Sequence, residues 1–351
     1  MSDKQITNRA EYSVPRSQYD ERRTQNEERR TKIRRWLNTL SPVIALIVVF
    51  ELFVLIAPSS FATARNMEMI ARQTAIVGVA ALGMTLVIIS GGIDLSVGSI
   101  VALSTVVIAW LLQYAGVGPL TAAVGGVAAA ALFGLLSGLL ITRLRVVPFI
   151  VTLGMMLVVR GAAKGIGREQ KIDVDPAQLR WLDELLASVP AERSWMLLPP
   201  GVWMMIFLAI GMAALLRYTR LGRHTFAIGS NEQTARLCGV AVERVKVLVY
   251  TLCGAFAGLA GLMQFSRLTV GDPTVAVGLE LNVIAAVVIG GGSLSGGEGS
   301  ILGTLVGALI MTIIASGCTQ IGYSNWVQEI ITGAIIVIAV ALDRLRHRRT
   351  A

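Results

Sequence analysis

The sequence predicts an all-α, polytopic transmembrane helical bundle of about ten spans, some short or broken, with an internal repeat. Three observations predict it. First, 54% of the 351 residues are hydrophobic and 15% charged, against about 25% charged in a typical soluble domain. Second, the charges are missing where a soluble surface would need them. Between Arg72 and Arg143 the only formal charge is Asp94, and between Arg267 and Arg344 there is no Lys or Arg. Third, 36 Gly against 6% aromatics fits helices packed closely through small residues.

Residues 1–40 form a polar tail with ten Lys/Arg and six Asp/Glu, ending in the basic run Arg29–Arg35. A membrane-surface helix is expected around Glu27–Leu37. The tail is too long for the n-region of a signal peptide, although Ala62-Thr63-Ala64 imitates a cleavage site, so no cleaved leader is expected. Apolar segments then fall at about 41–57, 74–90, 99–115, 119–142, 148–163, 200–216, 246–265, 279–291, 300–316 and 326–342. The membrane domain is thus 41–343, followed by a basic tail, 344–351, with Arg344, Arg346, Arg348 and Arg349. With the N-terminus inside, ten crossings return the C-terminus inside. On that count 22 of the 31 Lys/Arg lie inside, as the positive-inside rule requires. The segment at about 164–199 then lies outside and the polar loop at about 217–246 inside. The net charge of +9 is explained by this sorting, and no nucleic-acid partner is expected; lipid is the natural surrounding.

A repeat is visible above the hydropathy. Ile89-Ser90-Gly91-Gly92-Ile93-Asp94-Leu95-Ser96-Val97-Gly98-Ser99-Ile100 resembles the run from Ile289 through Gly290, Gly291, Gly292, Ser293, Leu294, Ser295, Gly296, Gly297, Glu298 and Gly299 to Ser300 and Ile301. The offset is 200 residues, becoming 201 after one insertion. Each copy follows a Val/Ile/Ala-rich helix. Glycine clusters break helices or let backbones touch, and broken helices in related halves are how transporters build a pathway.

Several chemistries are missing. None of the five Lys is followed by Ser or Thr, so there is no P-loop. No GxSxG elbow occurs. His224 and His347 are isolated, and Cys238, Cys253 and Cys318 show no CxxC spacing. No catalytic residue, metal or cofactor is expected. Ionisable groups in spans are functional candidates by default. Glu51 lies mid-span and is placed to bond a neighbouring helix. Glu280 and Glu329 lie at span starts and are read as interfacial. For Asp94, followed by Ser96, a helix-capping role and a ligand role both stand.

In the inside loop, Ser230-Asn231-Glu232-Gln233 fits a capping box, Glu232 suits the positive end of a helix dipole, and Gly239 supplies a stop. This predicts a helix of about eight residues, near 12 Å long, with Ala235, Leu237 and Cys238 exposed. Such a helix either folds on its own bundle or inserts into a cytosolic partner.

Gly91–Ser99, Gly222–Glu232, Ala235–Val240 and Ala285–Gly291 resemble the motifs of the ribose/galactose/xylose-type sugar permeases of ATP-binding-cassette (ABC) transporters, and the likeness extends over about 40–345. The resemblance implies the bacterial inner membrane with both termini cytoplasmic. It implies a second permease copy, identical or paralogous, a cytosolic ABC ATPase subunit and a periplasmic sugar-binding protein. It also implies that Ser230, Asn231, Glu232, Gln233, Ala235, Arg236, Leu237 and Gly239 belong to the helix that couples to the ATPase. Gly91, Gly92, Asp94, Ser96, Gly98, Asn282, Gly291, Gly292 and Ser293 are then the helix-break or pathway candidates. Asn282 departs from the family, which carries Asp there. The outside segment, with Trp181, Trp195 and Pro199-Pro200, is longer than usual and suits binding-protein docking. The expected function is ATP-driven import of a monosaccharide. Rival readings are a permease for a cyclitol, autoinducer-2 or a branched-chain amino acid, a proton-coupled carrier, and a membrane enzyme.

Overall fold

A computed structural model describes residues 41–188 and 196–348, with side chains through 341. The expected Glu27–Leu37 helix, Trp195 and the last three residues lie outside the described residues. In chain order the elements are α1 (Ser41–Ile56), α2 (Ala64–Ile89), α3 (Val97–Gln113), α4 (Pro119–Leu144), α5 (Pro148–Ile166), β1 (Ile172–Asp173), α6 (Pro176–Leu179) and α7 (Trp181–Glu184). There follow α8 (Pro200–Tyr218), α9 (Arg220–Ser230), α10 (Glu232–Leu237), α11 (Val242–Leu268), β2 (Val270–Gly271), α12 (Leu279–Ile289), α13 (Ile301–Ile321) and α14 (Asn325–Arg348). Ten of these are the ten predicted apolar segments, taken in order. Six are long and apolar enough to cross a membrane, while α1, α3, α12 and residues 325–341 of α14 are shorter.

The connections sort to two ends, as an up-and-down bundle requires. At the distal end Ser60 Oγ donates to Gln320 Oε1 (2.7 Å), the Asp175 N–H reaches Gln113 Oε1 (3.4 Å), and Ile172 pairs with Gly271 in a two-stranded antiparallel ribbon. At the proximal end lie both glycine breaks, the α4–α5 turn and the polar 219–241 stretch.

Small residues set the central crossing. At Gly134 of α4 a Cβ would lie 3.0 Å from Gly254 Cα of α11, and one at Gly258 would lie 2.6 Å from Ala130 Cβ. Backbones at that separation exclude any larger side chain. A second such crossing joins α12 to α13, where Gly303 rests on the Gly290 carbonyl and Gly307 on that of Ala286. Buried hydroxyls tie α2 to α13, Thr74 to Thr312 at 2.6 Å and Thr85 to Thr304 at 2.9 Å. Thr74 and Thr85 can donate to the carbonyls of Ile70 and Ala81 in their own helix, which leaves their oxygens to accept from Thr312 and Thr304. Near the distal end Ser316 Oγ and Gln320 Nε2 both donate to Asn66 Oδ1 at 3.2 Å.

Two charged positions depart from expectation. Glu51 is exposed on the surface of α1 instead of bonding a neighbour. Glu280 is not at an interface, because α12 is only half a crossing. Its 11 residues span about 16 Å, about half the hydrocarbon core. The missing half is a run of non-helical turns threaded down α3: Gly271 lies against Thr105 and Ala109, whereas Ala276 and Glu280 lie against Gly98.

The top of that thread is pinned by Asp272. Its Oδ1 accepts from the Thr274 N–H (2.8 Å) and Oγ1 (2.6 Å), and Oδ2 lies 3.1 Å from Lys171 Nζ. Burial pushes the carboxyl up, but Thr274 and Lys171 outweigh it and hold Asp272 below the usual value of 3.8. A depressed carboxyl contributes stability above its unfolded pKa and loses it as pH falls through the folded one. Asp272→Asn should therefore cost about 1–2 kcal/mol at neutral pH. The gap to the unaltered protein should close as the pH drops below 3.8. Thermal unfolding in detergent across pH reads this directly, and a gap that is constant down to the acid limit refutes it.

Candidate functional site

The two glycine breaks share one backbone geometry. In the first, the N–H groups of Ser90, Gly91 and Gly92 donate to the carbonyls of Leu86, Ile88 and Val87 at 2.9–3.0 Å. In the second, Gly290, Gly291 and Gly292 donate to Ala286, Val288 and Val287 at 2.8–3.0 Å, each at the offset of 200. Gly91 (φ +78°) and Gly291 (φ +91°) supply the left-handed residue that this helix ending needs. The repeat is therefore structural. The connections differ by more than the single expected insertion: residues 90–96 link α2 to α3, and the longer stretch 290–300 links α12 to α13.

Asp94 is 0% exposed, and its Oδ1 accepts from the Ser96 N–H (2.9 Å) and Oγ (2.6 Å). It closes the turn ahead of α3 and does not cap the helix itself, and Ser96, the N-cap by position, makes no side-chain cap bond. Two residues of α11 back this turn: Cys253 flanks the Asp94 carboxylate and the Tyr250 hydroxyl lies against Gly92. Ser293 is buried in the second break, where its N–H donates to the Glu298 carbonyl at 3.2 Å.

The breaks are not separate sites. The Gly297 N–H donates to the Ile89 carbonyl at 2.9 Å. A Cβ at Gly296 would lie 2.9 Å from Gly91 Cα and 3.0 Å from Gly229 Cα, and one at Gly297 would lie 3.1 Å from Ser230 N. The end of α9 thus wedges between the two breaks, backbone against backbone. Gly229, Gly296 and Gly297 are not among the predicted candidates. Their signal was present, since all three lie in the quoted motifs.

Half-way along the bundle is a second junction. Gly98, in the first turn of α3, faces Glu280, in the first turn of α12, and a Cβ on Gly98 would overlap Glu280 Oε2. Two helix N-termini favour negative charge there. Arg160 of α5 completes it, donating to the carbonyls of Pro273 (2.9 Å) and Val275 (2.7 Å) while Glu280 and Asp272 attract its guanidinium. Asn282, two residues on and so about half a turn round α12, is half-buried and has no side-chain partner among the described residues.

The short helix predicted in the 217–246 loop is present with its register changed. Ser230 ends α9, so the N-cap is Asn231, whose Oδ1 accepts from the Thr234 N–H at 2.8 Å. The helix is six residues, not eight, because α9 uses the preceding serine. Gly239 (φ +82°) terminates it, its N–H on the Arg236 carbonyl at 3.0 Å. Leu237 is 89% exposed and Cys238 is exposed, but Ala235, expected outside, is 4% exposed and anchors the helix. Glu232 pairs with Lys246 (2.6 Å) and Arg236 (3.4 Å), and Arg236 pairs with Glu243. These ties dock α10 on the start of α11. A cavity of about 310 Å³ lies between this network and the α4–α5 turn, lined by Arg145, Pro148 and Lys246 among others. The arrangement presents a protruding knob tipped by Leu237 and Cys238. Among the described residues it holds no cluster of His, Cys, Asp and Glu suited to a metal.

Residues 66–340 match the family model described as the permease component of the branched-chain amino acid transport system. The ribose import permease protein of Escherichia coli K12 is 38% identical over 314 residues, covering 90% of this chain and 96% of that protein. Its Bacillus subtilis counterpart is 39% identical over 309 residues, covering 88% and 93%. The L-arabinose ABC transporter permease protein of Azospirillum brasilense is 36% identical over 313 residues, covering 89% of each.

Proposed function

Because the chain belongs to this family of ABC permease components, we propose that it is the membrane subunit of an importer that moves a monosaccharide across the bacterial inner membrane. The observation that carries the reading is identity of 38% across nine-tenths of the chain to a protein named for ribose import. Other relatives of similar identity are named for fructose and L-arabinose, so a sugar is favoured over the amino acid of the family description. The permease hydrolyses no ATP; a separate ATPase subunit does. A solute-binding protein delivers the sugar from outside, and two permease copies enclose the path. The proximal end is read as cytoplasmic because it carries the 217–246 loop, which the ten-span count of the sequence puts on the Lys/Arg-rich side, and α10 is the knob on which the ATPase sits. Its shape supports this role: one buried anchor, Ala235, and an exposed tip at Leu237 and Cys238.

Native cysteines provide the test. Cys238 is exposed, whereas Cys253 and Cys318 are buried. A membrane-impermeant maleimide should label Cys238 in inside-out vesicles and not in right-side-out ones. Bound ATPase should slow labelling by about tenfold, a modest share of interface energy. Leu237→Asp should remove that protection and ribose uptake together. Labelling from the outside, or protection that is indifferent to the ATPase, sinks the assignment.

A further inference from the structure

We propose that Ile89, Gly229 and Gly296–Gly297 form a single rigid joint, with Gly229 the positioning residue that passes movement of α10 to both broken-helix pairs at once. The inference rests on α10 being the ATPase contact and extends it inward. Three features of the joint support it.

The three backbones meet with no side chain between them. A Cβ on Gly229 would overlap the Ile89 carbonyl oxygen and the Gly297 nitrogen, the two atoms of the bond that ties the breaks together. Contacts made by backbone atoms cannot be relieved by a rotamer change, so the joint transmits displacement instead of absorbing it. Next, no slack lies between the joint and the knob. Ser230 is the last residue of α9, Asn231 is already the N-cap of α10, and the Asn231 N–H still donates to the Ala227 carbonyl at 3.1 Å. Finally, the breaks are tied to each other beyond the joint. Thr85 Oγ1 and Thr304 Oγ1 lie 2.9 Å apart, one turn into α2 and α13, and a Cβ on Gly299 would lie 2.6 Å from Ile89 Cγ1. Chains of packed contacts and rigid elements carry coupling between sites, and these contacts run without a break from α10 to α2, α3, α12 and α13.

Two measurements on the permease reconstituted with its ATPase and binding protein test the joint. Gly229→Ala wedges it open: ATPase co-purification and ATP hydrolysis should persist, while uptake per ATP falls by about tenfold, within the usual span of coupling energies. Gly211→Ala, on the open face of α8 where a Cβ meets nothing within 4 Å, should leave that ratio unchanged. Uptake per ATP unchanged in Gly229→Ala overturns the joint. The second measurement locks the joint instead of opening it. With Thr85→Cys and Thr304→Cys in a Cys238→Ser background, copper-phenanthroline oxidation should form the cross-link and leave uptake within about twofold, because the two breaks move as one body. Loss of uptake that a reductant restores, or failure of the pair to oxidise, overturns the proposal. Where Gly229→Ala does not accumulate, the cross-link decides alone. If the unaltered chain fails to bind the ATPase, the reading of α10 fails and the joint is not at issue.

Discussion

Arg160→Leu should destabilise the bundle by about 3 kcal/mol, through an unpaired charge and two carbonyls left without a donor. The guanidinium donates to two backbone carbonyls of the threaded segment, those of Pro273 and Val275, below the Lys171–Asp272 contact, and it is attracted by Glu280 and Asp272. Remove it, and the Glu280 carboxylate keeps the two helix N-termini but loses its counter-charge, with Oε2 buried against Gly98. Hydrogen bonds from a charged donor are worth about 1.5–3 kcal/mol each, so losing the two to Pro273 and Val275 accounts for about 3 kcal/mol once the half-exposed guanidinium is discounted. The paired variant Arg160→Gln/Glu280→Gln should recover part of the loss, since no charge is then stranded and one amide can still donate to a carbonyl. Arg160→Lys should fall between, because one ammonium cannot match a planar fork set on two carbonyls. Thermal unfolding followed by the reactivity of the buried Cys253 and Cys318 thiols measures all three. A loss below about 1 kcal/mol for Arg160→Leu, the size of an exposed pair, would show that the thread is held elsewhere.

How far the sequence could lead is clear at this junction. Ten helices were legible because an apolar run of sufficient length has few alternatives in lipid, and all ten lie where the runs do. Hydropathy reports length and polarity, though, not depth. Nothing in Val275-Ala276-Val277-Gly278 says that the chain descends along α3, so α12 read as a full crossing and Glu280 as interfacial. The cost argument that placed Glu280 in water was sound, and the structure answers it with Arg160 and two helix N-termini. The capping error has a similar origin. Ser230 and Asn231 are both good N-cap residues, and the choice between them falls to α9, whose polar surface hid it from a hydropathy scan. Glycine positions were legible as breaks, because a left-handed residue is a local demand that Gly91 and Gly291 meet. Their partner was not: the contact of Gly229 with two loops distant in sequence is a tertiary fact, and no local pattern encodes it.

The central crossing makes the complementary demand, for absence of a side chain, and Gly254→Val is where it should show most. A Cβ at Gly254 would lie 2.6 Å from the Ala130 carbonyl oxygen and 3.0 Å from Gly134 Cα. Every obstructing atom belongs to the α4 backbone, so no truncation on α4 makes room and the two helices must part. Overpacking a core costs about 1–3 kcal/mol when side chains can adjust; here they cannot, and about 3 kcal/mol or more is expected. Separation would also reach the proximal end, because α11 carries Tyr250 under Gly92 and Cys253 beside Asp94. Gly254→Val should therefore expose Cys253 to thiol reagents before global unfolding. By contrast, Gly333→Ala, on α14 where a Cβ meets nothing within 4 Å, should be neutral or slightly stabilising by helix propensity. Equal unfolding temperatures for the two variants would mean that the α4–α11 crossing tolerates a gap, and that the glycines there are not what sets its distance.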